Sequence, residues 1–123
     1  MAFQNKITGD KGEELATELL RSKGYKILER NYRFGKAEID IIARIGDELV
    51  FVEVKTHRSF SDVLPDDLLT PKQIGMIINA ADQYVRSRDL EVESRFDLVF
   101  VDPGTSPPEV NHVECAFYPF DGM

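Results

Sequence analysis

The sequence contains one cysteine and no tryptophan in 123 residues. A lone cysteine, Cys115, excludes an intrachain disulfide, and we expect its thiol to be buried. No apolar run approaches the roughly 20 residues that a membrane-spanning helix needs, and the N-terminus lacks the apolar block of a signal peptide. These absences predict a cytoplasmic protein that does not bind membranes.

An excess of basic residues is also missing, since the formal net charge is −7. Uniform acidity would disfavour a nucleic-acid partner. The charge is uneven, however, because residues 1–60 hold 11 Lys and Arg against 10 Asp and Glu, whereas residues 61–123 hold 4 against 12. The N-terminal half is therefore the less repulsive half for phosphate, although it predicts no tight nonspecific DNA binding.

The length predicts one domain spanning residues 1–123, with a core from about residue 9 to 117 and a loose tail at 118–123. The order of periodic segments is helix, three strands, helix, two strands. We expect helices at 6–23 and from Pro71, with Thr70 as N-cap, and strands at 25–32, 96–101 and 110–117 beside a central hairpin. This order predicts an α/β fold with a mixed sheet of about five strands and helices on its faces.

The hairpin is the most informative segment. Gly46-Asp47 suits the tip of a two-residue type II′ turn, which pairs Ile45 with Glu48. Continuing this register sets Asp40 opposite Glu53. It also sets Glu38 opposite Lys55 and predicts that these four side chains share one face. The opposite, buried face is predicted to carry Ile39, Ile41, Val52 and Val54.

Two carboxylates at directly opposed positions repel each other unless a proton or a cation is shared between them. Mg²⁺ (or Mn²⁺) suits such a pair, because it takes oxygen ligands and often uses one or two carboxylates with water and substrate phosphate. The alternative interpretation is the solvated polar face of an amphipathic hairpin. That alternative does not explain an acid facing an acid with Lys55 one position away.

The remaining candidates lie outside the hairpin. On the first helix, Glu13 falls at the border of the apolar arc, where it can face the sheet, whereas Glu14 and Glu18 point away. The loop after Lys55 could contribute His57 and Arg58 to phosphate binding. The first turn of the second helix could contribute Lys72 and Gln73. For each of these residues a merely solvated role is the competing interpretation.

Asp40, twelve residues, and Glu53-Val54-Lys55 resemble the PD-(D/E)XK nuclease signature, with Ile39 in the position of its proline. The resemblance extends to the YraN-like family of small bacterial proteins. It is carried by Gly9-Asp10-Lys11-Gly12-Glu13, Arg30-Asn31-Tyr32, Glu38-Ile39-Asp40, Val50 through Thr56, Thr70-Pro71-Lys72-Gln73 and Arg95-Phe96-Asp97. This family is similar to archaeal Holliday-junction resolvases, which implies a restriction-endonuclease-like fold.

The resemblance also implies site roles. Asp40, Glu53 and the backbone carbonyl of Val54 would bind the metal, with Glu13 or Glu38 joining directly or through water. Lys55 would orient or help deprotonate the attacking water. The implied activity is a metal-dependent endonuclease for nucleic acid, DNA more than RNA, with structured or branched DNA as the substrate.

Two other functions stay open at this point. One is a noncatalytic nucleic-acid-binding module that keeps the fold and the acids. The other is a protein-interaction adaptor that uses the acidic C-terminal half. A junction-cutting enzyme would in addition favour a homodimer, because two sites must then meet two strands.

Overall fold

The structure, a computed structural model, describes the backbone of residues 2–56 and 69–117 and the side chains of residues 11–56 and 69–116. Its elements are α1 (Ala2–Ser22), β1 (Lys26–Phe34), β2 (Ala37–Ile45), β3 (Glu48–Thr56), α2 (Pro71–Ser87), β4 (Glu93–Asp102) and β5 (Glu109–Phe117). The predicted tail at 118–123 lies outside the described residues. Within the described ranges, neither helix has the length and apolar character needed to cross a bilayer.

The five strands form one sheet in the order β1-β2-β3-β4-β5. Neighbouring strands are antiparallel except β3 and β4, which are parallel because the chain passes through α2 between them. The predicted mixed α/β sheet is therefore confirmed, with β5 at an edge as expected. The element boundaries differ modestly from prediction: α1 begins at Ala2, and β1 runs two residues further, to Phe34.

Alternation along β3 divides the core into two layers. Leu49 and Phe51 pack with buried residues of α2, whereas Val50 and Val52 pack with Ala16 and Leu20 of α1. Because successive side chains of a strand point to opposite faces, α1 and α2 cover opposite faces of the sheet. A functional side chain on β3 therefore faces one helix or the other according to its parity.

The start of α2 was predicted from its capping residues, and the structure confirms it. Thr70 has extended backbone, its hydroxyl accepts a hydrogen bond from the Gln73 N–H at 3.1 Å, and the Gln73 side chain accepts from the Thr70 N–H at 2.8 Å. Pro71 occupies the first helical position, where a missing N–H costs nothing. This reciprocal capping box fixes where α2 begins relative to the sheet.

A buried polar cluster joins β4 to β5. The Asp97 carboxylate is fully buried and accepts two hydrogen bonds from Arg95, both at 2.9 Å, and one from the Cys115 N–H at 3.0 Å. His112 Nε2 lies 2.7 Å from the same carboxylate. The Cys115 thiol itself is exposed, so the prediction of a buried thiol was wrong. The reason is a register shift in the β4–β5 pairing and the positive φ of Cys115, 52°, which interrupt the alternation of β5.

Candidate active site

The hairpin register is as predicted from Ile45–Glu48 through Ile41–Val52. Gly46 has a φ of +55°, and Asp47 is not among the described residues with positive φ, as a type II′ turn requires. Beyond Ile41 the strands no longer follow the regular pairing. The predicted site begins where this pairing ends.

The separation of β2 from β3 coincides with a break in side-chain alternation. Ile39 packs in the α2-side core, whereas Ile41 packs in the α1-side core, although the two residues should share a face in a regular strand. Asn31 on the neighbouring β1 has a φ of +55° between the paired positions Arg30–Ile41 and Tyr32–Ile39. The prediction that Ile39 lies on the face of Ile41, Val52 and Val54 was therefore wrong. β2 changes face between Ile39 and Ile41, beside the irregular backbone of Asn31 on β1.

Asp40 lies at the break, and its carboxylate points into the gap between the strands. Asp40 Oδ2 accepts a hydrogen bond of 2.8 Å from the Val54 N–H. In return, Glu53 Oε1 accepts a longer bond of 3.4 Å from the Asp40 N–H. The two carboxylates thus replace strand-to-strand backbone bonds, and each is anchored to the other residue's strand.

Burial makes this pair of acids costly to ionise. The Glu53 residue is 9% exposed, and burial, followed by the negative charge of Asp40, raises its pKa to about 9. Burial also raises the pKa of Asp40 to about 6; the Val54 N–H opposes this rise and the charges of Glu13 and Glu38 add to it. Near neutral pH the pair therefore retains one proton, unless a cation takes its place.

Glu13 reaches the site from α1. Its carboxylate accepts a hydrogen bond from Arg30 Nη2 at 3.1 Å, and it is close enough to raise the pKa of Asp40. Glu14, which was predicted to point away, is exposed and binds Arg30 Nη1 at 2.7 Å. Gly12 allows this approach, because a Cβ there would lie 2.0 Å from Thr56 Oγ1 at the end of β3. The absence of a side chain at Gly12 thus sets how closely Glu13 approaches the sheet.

A cleft of about 300 Å³ opens on the α2 face beside the pair. Glu38, Glu53 and Lys55 line it, whereas Asp40, the fourth residue predicted on this face, is not among its lining residues because its carboxylate points into the strand gap. The wall opposite belongs to α2 and the residues before it. Among the residues that the structure describes, the lining is formed by Lys36, Ala37, Glu38, Glu53, Lys55, Leu69, Gln73, Met76 and Ile77.

Sequence reasoning missed Lys36 as a site residue. It follows Gly35, whose φ of +61° turns the chain between β1 and β2, and it lines the cleft with Lys55. Its place in the turn two residues before Glu38 was the available signal. Among the described residues, the cleft therefore holds two lysines beside two carboxylates, so it offers partners both to a phosphate and to a cation.

The predicted substrate-binding residues have different outcomes. Gln73 lines the cleft, although its side-chain oxygen is engaged in the α2 capping box. Lys72 is exposed and is not among the cleft-lining residues. His57 and Arg58 lie outside the described residues.

Among residues 2–56 and 69–117, no three His, Cys, Asp or Glu side chains are grouped closely enough to hold a metal ion by themselves. Glu13 and Glu38 are thus near the Asp40–Glu53 pair without completing a ready-made ligand cage. A metal here would depend on two carboxylates and on water, the pattern that Mg²⁺ tolerates best.

Comparison with known proteins gives the family. Residues 12–101 match the model of the uncharacterised protein family UPF0102. A UPF0102 protein of Christiangramia forsetii is 44% identical over 120 residues, which are 98% of this chain and 100% of the relative. The UPF0102 protein FP2501 of Flavobacterium psychrophilum is 45% identical with the same coverage. A third, from Syntrophomonas wolfei, is 41% identical over 92% of this chain and 99% of the relative. The chain therefore belongs to the uncharacterised protein family UPF0102, the YraN-like family that its motifs resemble.

Proposed function

We propose that this protein is a metal-dependent endonuclease of the PD-(D/E)XK type, which hydrolyses phosphodiester bonds in structured or branched DNA. The observation that supports it best is the buried Asp40–Glu53 pair, held at the separation of two strands, with Lys55 in the adjoining cleft. Burial of two neighbouring carboxylates costs free energy, and the negative charge of Asp40 adds to the cost of ionising Glu53. Such an arrangement is typical of a site that binds a cation or moves a proton.

The donor set fits Mg²⁺ or Mn²⁺. Asp40 and Glu53 supply two hard oxygen donors, and the backbone carbonyl of Val54, next to the N–H that binds Asp40, would supply a third. Glu13 and Glu38 would contribute through water. When bound, the ion would lower the pKa of a water molecule and offset negative charge on the phosphate.

The protein's own groups would do the remaining work. Lys55 and Lys36 in the cleft place fixed positive charge where a phosphate enters. Lys55, adjacent in the cleft to Glu53, is in position to orient the attacking water and to take part in its deprotonation. Leu69, Met76 and Ile77 give the opposite wall an apolar surface that excludes bulk water and strengthens these electrostatic contacts.

The test combines metal binding with cleavage. Purified protein is titrated with Mn²⁺ or Mg²⁺ while thermal unfolding is followed, because a ligand that binds only the folded state raises the melting temperature. The same protein is then incubated with labelled single-stranded, duplex and four-way-junction DNA, and with matching RNA.

We expect metal-dependent stabilisation and metal-dependent cleavage, both lost in Asp40→Asn and Glu53→Gln. The matched control is Glu18→Gln, since Glu18 is an exposed acid on α1. Metal binding with DNA retention and no cleavage would instead indicate a noncatalytic nucleic-acid-binding module. If neither metal nor nucleic acid has any effect, the endonuclease proposal is wrong.

A further inference from the structure

Phe34, the last residue of β1, has an unusual environment. It is the one large hydrophobic side chain that is strongly exposed among residues 11–56 and 69–116, with 39% of its surface accessible. Within the described residues β1 is an edge strand of the sheet, so one of its sides pairs with no other strand there. An isolated exposed apolar residue is ordinary by itself. Phe34 is notable because it lies beside two concave surfaces of the protein.

The first depression is a groove of about 430 Å³ between Phe34 and the outer face of α2, lined also by Asn79, Asp82, Gln83, Arg86 and Ser87. The second is the cleft beside the carboxylate pair, reached through Lys36. Only Gly35 separates Phe34 from Lys36, so their Cα atoms lie within about 7.6 Å of each other. A single extended ligand can therefore occupy the cleft and touch the Phe34 ring.

The groove has the chemistry of a nucleobase site. Phe34 offers an aromatic surface on which any base can stack. Asn79 carries an amide group that can donate to and accept from a base edge. The Gln83 Oε1 accepts a hydrogen bond from the Tyr32 hydroxyl, so Gln83 would serve a base as a donor through its amide N–H groups. An apolar peptide would be a poor occupant, because apart from Phe34 the described lining residues are polar or charged.

The surrounding cations suit the phosphates of the same strand. Arg33 is 77% exposed and pairs with Glu38 at 3.0 Å, and Arg86 is 80% exposed and pairs with Asp82 at 3.0 Å. Exposed ion pairs contribute little net free energy. A phosphate can therefore replace either acid as the partner of its arginine at small cost.

We propose that Phe34 and the groove beside α2 form a subsite for one unpaired nucleobase, next to the phosphate held in the Lys36–Lys55 cleft. This inference rests on the proposed nuclease function and specifies its substrate class. A base inside a duplex has both faces covered by its neighbours, whereas an unpaired base can stack on a protein ring. The preferred substrates would then be single strands, flaps, bulges and unpaired positions of branched DNA.

A second copy of the chain is the competing occupant. A stable protein interface buries about 1,200–2,000 Å² and has an apolar centre. One partly exposed phenylalanine beside a polar groove offers much less than that. The geometry therefore favours a nucleotide over a dimer contact at this surface.

The experiment measures binding separately from cleavage. Fluorescence anisotropy follows labelled single-stranded and duplex oligonucleotides of equal length, with full-length protein and EDTA present. Because base stacking on an aromatic residue contributes about 1–3 kcal/mol, we expect Phe34→Ala to weaken single-strand binding about 5- to 150-fold. Duplex binding should change less than about 2-fold. Phe34→Leu, which keeps apolar volume and removes the ring, should behave like Phe34→Ala.

Two further variants sharpen the result. Phe34→Trp creates the sole tryptophan of a chain that has none, and its emission should be quenched as single strands bind. Arg33→Ala should weaken both oligonucleotides, whereas the control Lys26→Ala, an exposed cation at the other end of β1, should change neither.

The outcomes separate this inference from the function it extends. Cleavage that depends on metal, combined with equal single-strand binding by wild type and Phe34→Ala, overturns the subsite and leaves the nuclease. Single-strand binding that requires Phe34, without any cleavage, supports the subsite and removes the catalytic part of the proposed function. If Phe34→Ala binds oligonucleotides as wild type does but sediments with a lower mass than wild type, the surface is a contact with a second copy and the subsite is overturned.

Discussion

The buried carboxylate pair predicts an unusual pH dependence of stability. The raised pKa of Glu53, about 9, means that the folded protein keeps a proton that the unfolded chain has released above its ordinary value of 4.5. Since the folded state then binds more protons than the unfolded state, the free energy of unfolding must fall as pH rises through this window. The shift of Asp40 has the same sign and acts only up to about pH 6.

The magnitude follows from proton linkage. One proton held by the folded state and absent from the unfolded state changes the free energy of unfolding by about 1.4 kcal/mol per pH unit. Between pH 6.5 and 8.5 the metal-free protein should therefore lose about 2–3 kcal/mol from Glu53. Glu53→Gln removes this ionisation, and its neutral amide can still accept the hydrogen bond from the Asp40 N–H.

The assay is urea unfolding at four pH values between 6.5 and 8.5 with EDTA present, on wild type, Glu53→Gln and the exposed control Glu18→Gln. We expect a steep loss of stability in wild type and in Glu18→Gln. Glu53→Gln should show a shallow slope and should be the most stable of the three at pH 8.5. Equal slopes in wild type and Glu53→Gln would refute the reasoning, because the pair would then be solvated or already ionised.

Three further predictions concern folding. Gly12→Ala should destabilise the protein and lower any metal-dependent activity, because its Cβ would overlap Thr56 Oγ1; parallel melting and cleavage assays would show both. Asp97→Asn should cost about 3–5 kcal/mol in urea unfolding, since it removes the fully buried carboxylate that Arg95 and His112 share and leaves Arg95 only the partly exposed Glu48 and Glu114. Asp82→Asn in an exposed pair should cost under about 1 kcal/mol. Thr70→Ala should cost about 1 kcal/mol through loss of the α2 cap, and a normal melting temperature would show that the capping box contributes nothing.

The hairpin was predictable because its determinants are local. A glycine suited to positive φ at the first tip position, between two segments typical of strands, is enough to fix the register near the turn. The start of α2 was predictable for the same reason, since Thr70 and Pro71 act within one turn of helix. In both cases the residues that decide the structure lie within a few positions of one another.

The change of face at Asp40 could not be predicted from the hairpin alone. It coincides with the positive φ of Asn31, which lies on β1 outside the hairpin, and it places Ile39 in the core on the α2 side of the sheet. Alternation rules assume regular strands, and the backbone at Asn31 departs from the extended conformation that those rules require. The exposure of Cys115 was missed for a related reason, the register shift between β4 and β5.

The sequence by itself determined which chemistry is available: acids at positions 40 and 53, a lysine at 55, and a helix whose border carries Glu13. Only the tertiary structure decided that the two carboxylates are buried in the gap between strands and that Lys36 and Gln73 share the cleft with Lys55. The physical reason is that residue type and local periodicity set what a side chain can do. Burial and the approach of distant segments set the charge state and the neighbours of that side chain. Here the missing side chain of Gly12 lets α1 approach the end of β3.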